Sequence, residues 1–239
     1  MSVLPIRATC LAALCWAVLA GPAPAFEETP IWREAVAKGR LPPVDQRVPK
    51  TPLVADLAAR GRSVGTPGGD VVSLVARARD VRYLSANSYA RLVGYDAKLE
   101  LVPDILERIE DEGDKVITLH LREGHRWSDG QPFTTEDFRY WWEDVANNKA
   151  LSPGGLADFL TVDGKGPTVE FPDARTVRFT WAKPNPRFLP ALAQPRDPFI
   201  YRPAHYLKQF HEKYADKAAL DEAARKAKLK SWAALHNRM

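Results

Sequence analysis

Between Val116 and Asn147 the hydrophobic period changes from two to 3.6 across one tightly punctuated turn, and this limits what the chain can fold into. In Val116–Arg122, Ile117, Leu119 and Leu121 point one way while Thr118, His120 and Arg122 point the other, the pattern of a half-buried strand. From residue 135 to 147, Phe138, Trp141, Trp142 and Val145 recur at i, i+3, i+4 and i+7, one apolar helical face. Trp127-Ser128-Asp129-Gly130 reads as a turn between them. Its Asp-Gly pair suits a position with positive φ, and Trp127 is placed to bury beneath it. Pro132 stops the preceding extended segment. Thr134 is the predicted N-cap with Asp137 at N3, and Phe133 at N′ is set to staple onto Phe138 at N4.

Other elements follow from the same reasoning. Val169–Phe171 and Thr176–Trp181 flank Pro172-Asp173-Ala174-Arg175 and predict a hairpin with a four-residue loop. Val71-Val72-Ser73-Leu74-Val75, opened by Gly68-Gly69, predicts a short buried strand. Residues 216–229, with Leu220, Ala224 and Ala227 on one side, predict a helix, and a shorter one starts after Ser231. Residues 26–68 hold Pro30, Pro42, Pro43, Pro49, Pro52 and Pro67. They read as an extended lead-in with one short helix near Ile31–Lys38. Residues 85–95 read as irregular to helical.

Residues 1–25 stand apart. Arg7 precedes an almost wholly apolar run, Ala8 to Ala20. Gly21-Pro22 ends it, and Ala23-Pro24-Ala25 is an A-x-A cleavage pattern. This is the three-part layout of a secretory signal peptide, and the run is short for a membrane span. Cleavage after Ala25 removes both cysteines, Cys10 and Cys15, so no disulfide holds the mature chain. The charge balance, 34 Lys+Arg against 30 Asp+Glu, is mild and spread along the chain. A nucleic-acid partner is not expected from it.

Chemistry is sparse. His120 and His125, with Glu123 between, lack the spacing of two metal ligands on one helix face, and read as a surface and a turn histidine. His211-Glu212 falls in a charged helical stretch. Asp111, Glu112 and Asp114 around Gly113 read as a solvated turn. No HExxH, GxSxG, GxGxxG or Walker loop is present. No metal site, no cofactor and no catalytic residue is expected.

One resemblance rests on the long central stretch. Leu99-Glu100-Leu101-Val102-Pro103-Asp104-Ile105-Leu106 leads to Val116-Ile117-Thr118-Leu119-His120-Leu121-Arg122-Glu123-Gly124. It continues into Trp127-Ser128-Asp129-Gly130-Gln131-Pro132-Phe133-Thr134-Thr135-Glu136-Asp137-Phe138. This resembles the signature of the family 5 extracellular solute-binding proteins, the peptide- and nickel-binding class of ABC importers. The resemblance spans roughly residues 66–239. It implies an α/β (mixed α+β) fold, a type II periplasmic-binding-protein first lobe with a mixed sheet and flanking helices. Residues 69–239 are then the amino-terminal part of a solute-binding domain whose second lobe is missing. The signature residues Trp127, Asp129, Gly130, Pro132, Phe133, Thr134 and Asp137 build the fold. The segment bordering the family's cleft corresponds here to Tyr89-Ala90-Arg91-Leu92, so Asn87, Tyr89 and Arg91 are the substrate-side candidates. Ala90 and Arg91 depart from the family's acid and glycine. Arg91 either favours a ligand carboxylate or is a surface residue.

The function expected is a periplasmic, monomeric substrate-binding component. It captures a peptide or other small solute and delivers it to ABC permease subunits in the inner membrane. The alternatives are a secreted hydrolase using carboxylates such as Asp129 and Glu136, and a non-functional truncated fragment.

Overall fold

The computed structural model describes residues 26–70, 72–84, 90–194 and 199–239. A 3₁₀ turn at Pro30–Trp32 leads into Arg33–Ala37 (α1). Further 3₁₀ turns at Val44–Gln46, Ala58–Arg60 and Ala78–Leu84 are the only other regular structure before residue 85 among the described residues. The strands are Val93–Tyr95 (β1), Leu101–Pro103 (β2), Leu106–Glu112 (β3), Val116–Leu121 (β4), Thr168–Asp173 (β5) and Thr176–Thr180 (β6). The remaining helices are Thr135–Tyr140 (α2), Phe188–Leu192 (α3), Ala204–Leu207 (α4), Lys217–Lys226 (α5) and Trp232–His236 (α6). Strands β1 and β2 pair with each other, and the other four form a sheet of order β3-β4-β6-β5. The architecture is α/β, and every pairing among the described residues is antiparallel.

The four-stranded sheet has one dry face. Ile117, Leu119, Leu121, Val177 and Phe179 are buried on it, and Trp181 continues the alternation. The ring of Phe188 on α3 packs 4.8 Å from Phe179 and 4.9 Å from Trp181, centroid to centroid. The indole N–H of Trp181 donates to the Leu160 carbonyl at 2.8 Å, so this buried ring leaves no polar atom unpaired.

The punctuated turn behaves as its residues dictate. Gly130 adopts φ +87°, and Asp129 Oδ1 accepts the Gln131 N–H at 3.0 Å. Thr134 Oγ1 accepts the Glu136 N–H at 3.3 Å, and Asp137 Oδ2 takes back the Thr134 N–H at 3.0 Å, closing a capping box. Phe133 and Phe138 are 5.6 Å apart, the expected staple. The helix that follows is not uniform. After α2 the backbone widens into a π segment at Trp141–Ala146. Carbonyls there take donors from outside the ladder: Trp142 O from Asn147, Asp144 O from His211 and Val145 O from Ser152. Those outside donors satisfy carbonyls as the i→i−4 ladder loosens.

Other expectations need correction. The hairpin loop is two residues, Ala174-Arg175, not four. A bulge between Glu170 and Asp173 keeps Pro172 at the sheet edge, and Asp173 Oδ1 accepts the Arg175 N–H at 2.7 Å. The expected buried strand at 71–75 does not form. Val71 lies outside the described residues, Val72–Val75 carry no ladder, and Val72 and Leu74 are 89% and 99% exposed. A strand needs a neighbour for its backbone groups, and no described residue supplies one. Part of the stretch expected to be irregular, Val93–Tyr95, is strand β1. Residues 217–226 and 232–236 are helical as expected, capped by Asp216 and Ser231 side chains. The lead-in is tied to the end of β4 through Lys50 N–H to Glu123 O at 2.9 Å and Arg122 to Thr51 O at 2.9 Å.

Candidate functional site

The signature residues converge on one buried carboxylate. Asp137 is 3% exposed. Its Oδ2 accepts the Thr134 N–H at 3.0 Å and the Trp127 indole N–H at 3.2 Å, and its Oδ1 accepts the Ala204 N–H at 3.0 Å. Its backbone carbonyl also takes the Arg202 N–H at 3.1 Å. Burial pushes this carboxyl above its ordinary range, and the three hydrogen bonds pull against that shift. Asp137 therefore joins the turn, the start of α2 and the segment entering α4. Trp127 packs at its rim, 5.4 Å from Phe133 and 5.9 Å from Tyr201. It is a packing residue with a satisfied N–H.

The two carboxylates of the hydrolase alternative serve the same corner. Asp129 Oδ2 lies 2.7 Å from His205 Nε2, and its carboxyl is held low by the Gln131 N–H and then by His205. Glu136 receives Lys208 Nζ at 2.7 Å. Asp129 thus fastens the turn, and Glu136 the start of α2, to the α4 region.

The substrate-side candidates separate. Asn87 and Tyr89 lie outside the described residues. Arg91 donates its backbone N–H to Asp104 Oδ2 at 3.0 Å and its Nε to Gln194 O at 2.9 Å, linking the entry to β1 with the end of α3.

On the sheet face away from the core lies an open groove of about 500 Å³. Its floor includes Thr118, His120 and Thr176, and its walls include Arg108, Glu110 and Arg178. The charges compensate one another: Glu110 meets Arg108 at 2.9 Å and His120 at 3.2 Å, and Arg178 reaches Glu170 at 3.9 Å. His120, also 3.0 Å from the Arg108 guanidinium, is thus part of a cross-strand polar cluster rather than a plain surface histidine. His125 is half-buried against the Phe133 edge at 5.5 Å, and burial pushes its pKa down, with Arg122 adding to the shift. Asp111 and Glu112 end β3, and Gly113 and Asp114 turn the chain with positive φ. Among the described residues no group of three or more His, Cys, Asp or Glu side chains is arranged to hold a metal ion. Among them no helix is long and apolar enough to cross a membrane.

One cluster was not visible in the sequence. His211, expected in a charged helical stretch, follows a 3₁₀ turn in extended conformation and is buried. It adjoins Tyr140, Asp144, Tyr214 and His236. These residues lie up to 96 positions apart, and local spacing carries no trace of their meeting.

This architecture is that of a first-lobe portion of a type II periplasmic binding protein. The family model of the bacterial extracellular solute-binding proteins, family 5, middle region, matches residues 100–228, and the chain belongs to that family. The periplasmic alpha-galactoside-binding protein of Rhizobium meliloti is 32% identical over 201 residues, 75% of this chain and 28% of that protein. The periplasmic oligopeptide-binding protein OppA of Salmonella typhimurium is 31% identical over 142 residues, 54% of this chain and 26% of that protein. Among solved structures, an oligopeptide-binding protein OppA superposes with a TM-score of 0.76 and 33% identity, over 89% of this chain and 32% of that one. MelB of Agrobacterium fabrum, solved with stachyose, gives a TM-score of 0.55 at 25% identity, over 81% of this chain and 32% of that one. The chain thus spans less than a third of the length of these relatives. The family's members are binding proteins, and its named relatives here are periplasmic.

Proposed function

We propose that this chain supplies the amino-terminal portion of the substrate-binding component of an ABC importer for short peptides. Residues 1–25 act as its export signal, 26–68 as a lead-in, and 69–239 as the lobe portion proper. The protein works in the periplasm as a monomer and hands its solute to permease subunits in the inner membrane. The mechanism is capture: two lobes close on the solute, and the closed form is the one the permease reads. Such sites bury roughly 70–90% of a small ligand, so one wall alone leaves most of the affinity unrealised. Asn87, Tyr89 and Arg91 belong to the segment assigned to the solute side.

The observation that carries the peptide reading is the superposition on OppA, closer in both TM-score and identity than that on the stachyose-bound MelB. A second reading, an α-galactoside as solute, is favoured by the 201-residue match to the R. meliloti protein. Deleting the coding sequence from its native host and measuring uptake of a labelled oligopeptide pool and of labelled stachyose separates the two. Loss of peptide uptake with stachyose uptake intact is expected. The reverse pattern overturns the peptide assignment and supports the second reading.

A further inference from the structure

The last helix, α6, is fastened by a polar contact as well as by packing. Tyr140 Oη on α2 and His236 Nε2 on α6 are 2.6 Å apart. His236 is 3% exposed, and its Nδ1 has no hydrogen-bond partner within reach. Beside it lies His211, ring to ring at 5.8 Å. His211 Nε2 is 3.0 Å from the Asp144 carbonyl, and its Nδ1 accepts the Lys213 N–H at 3.1 Å.

The charges around this pair leave little room for another cation. Arg202, from the segment before α4, opposes protonation of His236, and the Asn237 amide favours it. Lys208 Nζ sits 5.9 Å from the Tyr140 ring and 5.1 Å from the Tyr214 ring. The one carboxylate of the cluster, Asp144, is already engaged by Lys213 at 2.7 Å and Tyr214 Oη at 2.6 Å. A proton added to His236 turns both ring nitrogens into donors. The Tyr140 hydroxyl must then reverse its role and accept from Nε2–H, and Nδ1–H has no acceptor at hydrogen-bond distance, with only the Asn237 amide favouring the charged form. A cation in this dry site, short of an acceptor at Nδ1, is costly, and the cheapest relief is to move the imidazole into water.

We propose that His236 is an acid-sensitive latch: neutral, it docks α6 onto Tyr140; protonated, it releases the helix and uncovers the Trp232 side of the cluster. This rests on contacts within the chain and is independent of which solute the protein carries. Burial first, then His211 and Arg202, hold the imidazole at about 4 against an ordinary 6.5. The docked form therefore binds fewer protons than the released form between those values. Docking is complete above pH 6.5 and is lost as pH falls towards 4. The released-to-docked ratio rises as pH falls through that window, by several-fold and less than tenfold per pH unit.

Amide hydrogen exchange of the mature chain between pH 7 and 4.5, corrected for intrinsic rates, tests this. Protection of residues 232–239 should fall several-fold, and by less than tenfold, per pH unit below pH 6 while protection of β4 holds. In His236→Gln, which cannot titrate, the pH slope should vanish whatever its starting level. A flat profile in the wild-type chain, or the same slope surviving in His236→Gln, overturns the latch. If the variant does not fold, the wild-type imidazole titration followed by NMR decides alone: a value below 6 supports the latch, and one of 6 or above overturns it.

Discussion

Asp137 and Asp129 are both signature aspartates, and their surroundings give them different weights. Three donors aim at the two oxygens of Asp137 in a dry site, and an amide there offers one acceptor and a pair of hydrogens. Asp137→Asn should therefore leave at least one buried N–H facing a donor and cost about 2–3 kcal/mol in urea unfolding. Asp129→Asn keeps the acceptor for the Gln131 N–H and loses only an exposed charge partner of His205, so its unfolding midpoint should stay near wild type. Equal losses for the two would contradict this assignment of roles. The site's local part was legible in the sequence because it is short-range: the Asp-Gly turn, the cap at Thr134 and the return bond from Asp137 lie within nine residues. The contacts from Ala204, Tyr201 and His205 were not legible, since nothing near Asp137 specifies what arrives from 67 residues away.

At the scale of elements, legibility followed hydrophobic period. Strands β4 and β6 were readable because their alternation is unbroken. Strand β3 was not, and its bulge explains why. Leu106 and Ile109 are an odd number of residues apart, which in a regular strand puts them on opposite faces. The irregularity between Leu106 and Arg108 absorbs one residue, so both meet the inner face opposite Leu121 and Leu119. The residues between and after them, Glu107, Arg108, Glu110, Asp111 and Glu112, suit an exposed sheet edge and disguise the strand as a charged loop. The π segment escaped for a similar reason, because its outside donors, His211 above all, come from distant sequence. The α2 start, by contrast, is specified locally, and its contribution is separable. Thr134→Ala removes the hydroxyl acceptor of the capping box and should lower stability by about 1 kcal/mol, while Thr134→Ser should recover most of that loss. Urea midpoints of the three proteins are the measurement. A serine variant as unstable as the alanine variant would locate the effect in the lost methyl packing instead.

At the scale of the molecule, apolar material is distributed unevenly. The sheet, α2 and α3 share one buried cluster. Residues 53–75, in contrast, present Leu53, Val54, Val64, Val72, Leu74 and Val75 to solvent. Covering one such side chain is worth about 1.5–3 kcal/mol, so several together form a surface that favours association. The relatives carry most of their length beyond the part matched here, and further chain of that kind is what could cover such a surface. Residues 26–239, purified alone, should bind an apolar dye and sediment as a mixture of sizes. The double variant Val72→Thr, Leu74→Gln should reduce both signals. It should leave the melting temperature within about a degree of the parent, because these two side chains contribute nothing to the core they stand outside. A fall of several degrees, the size of shift that losing about 1 kcal/mol produces in a domain of this length, would show that Val72 and Leu74 are buried in the folded chain. That result would restore the buried strand that the apolar run from residue 71 to 75 first suggested.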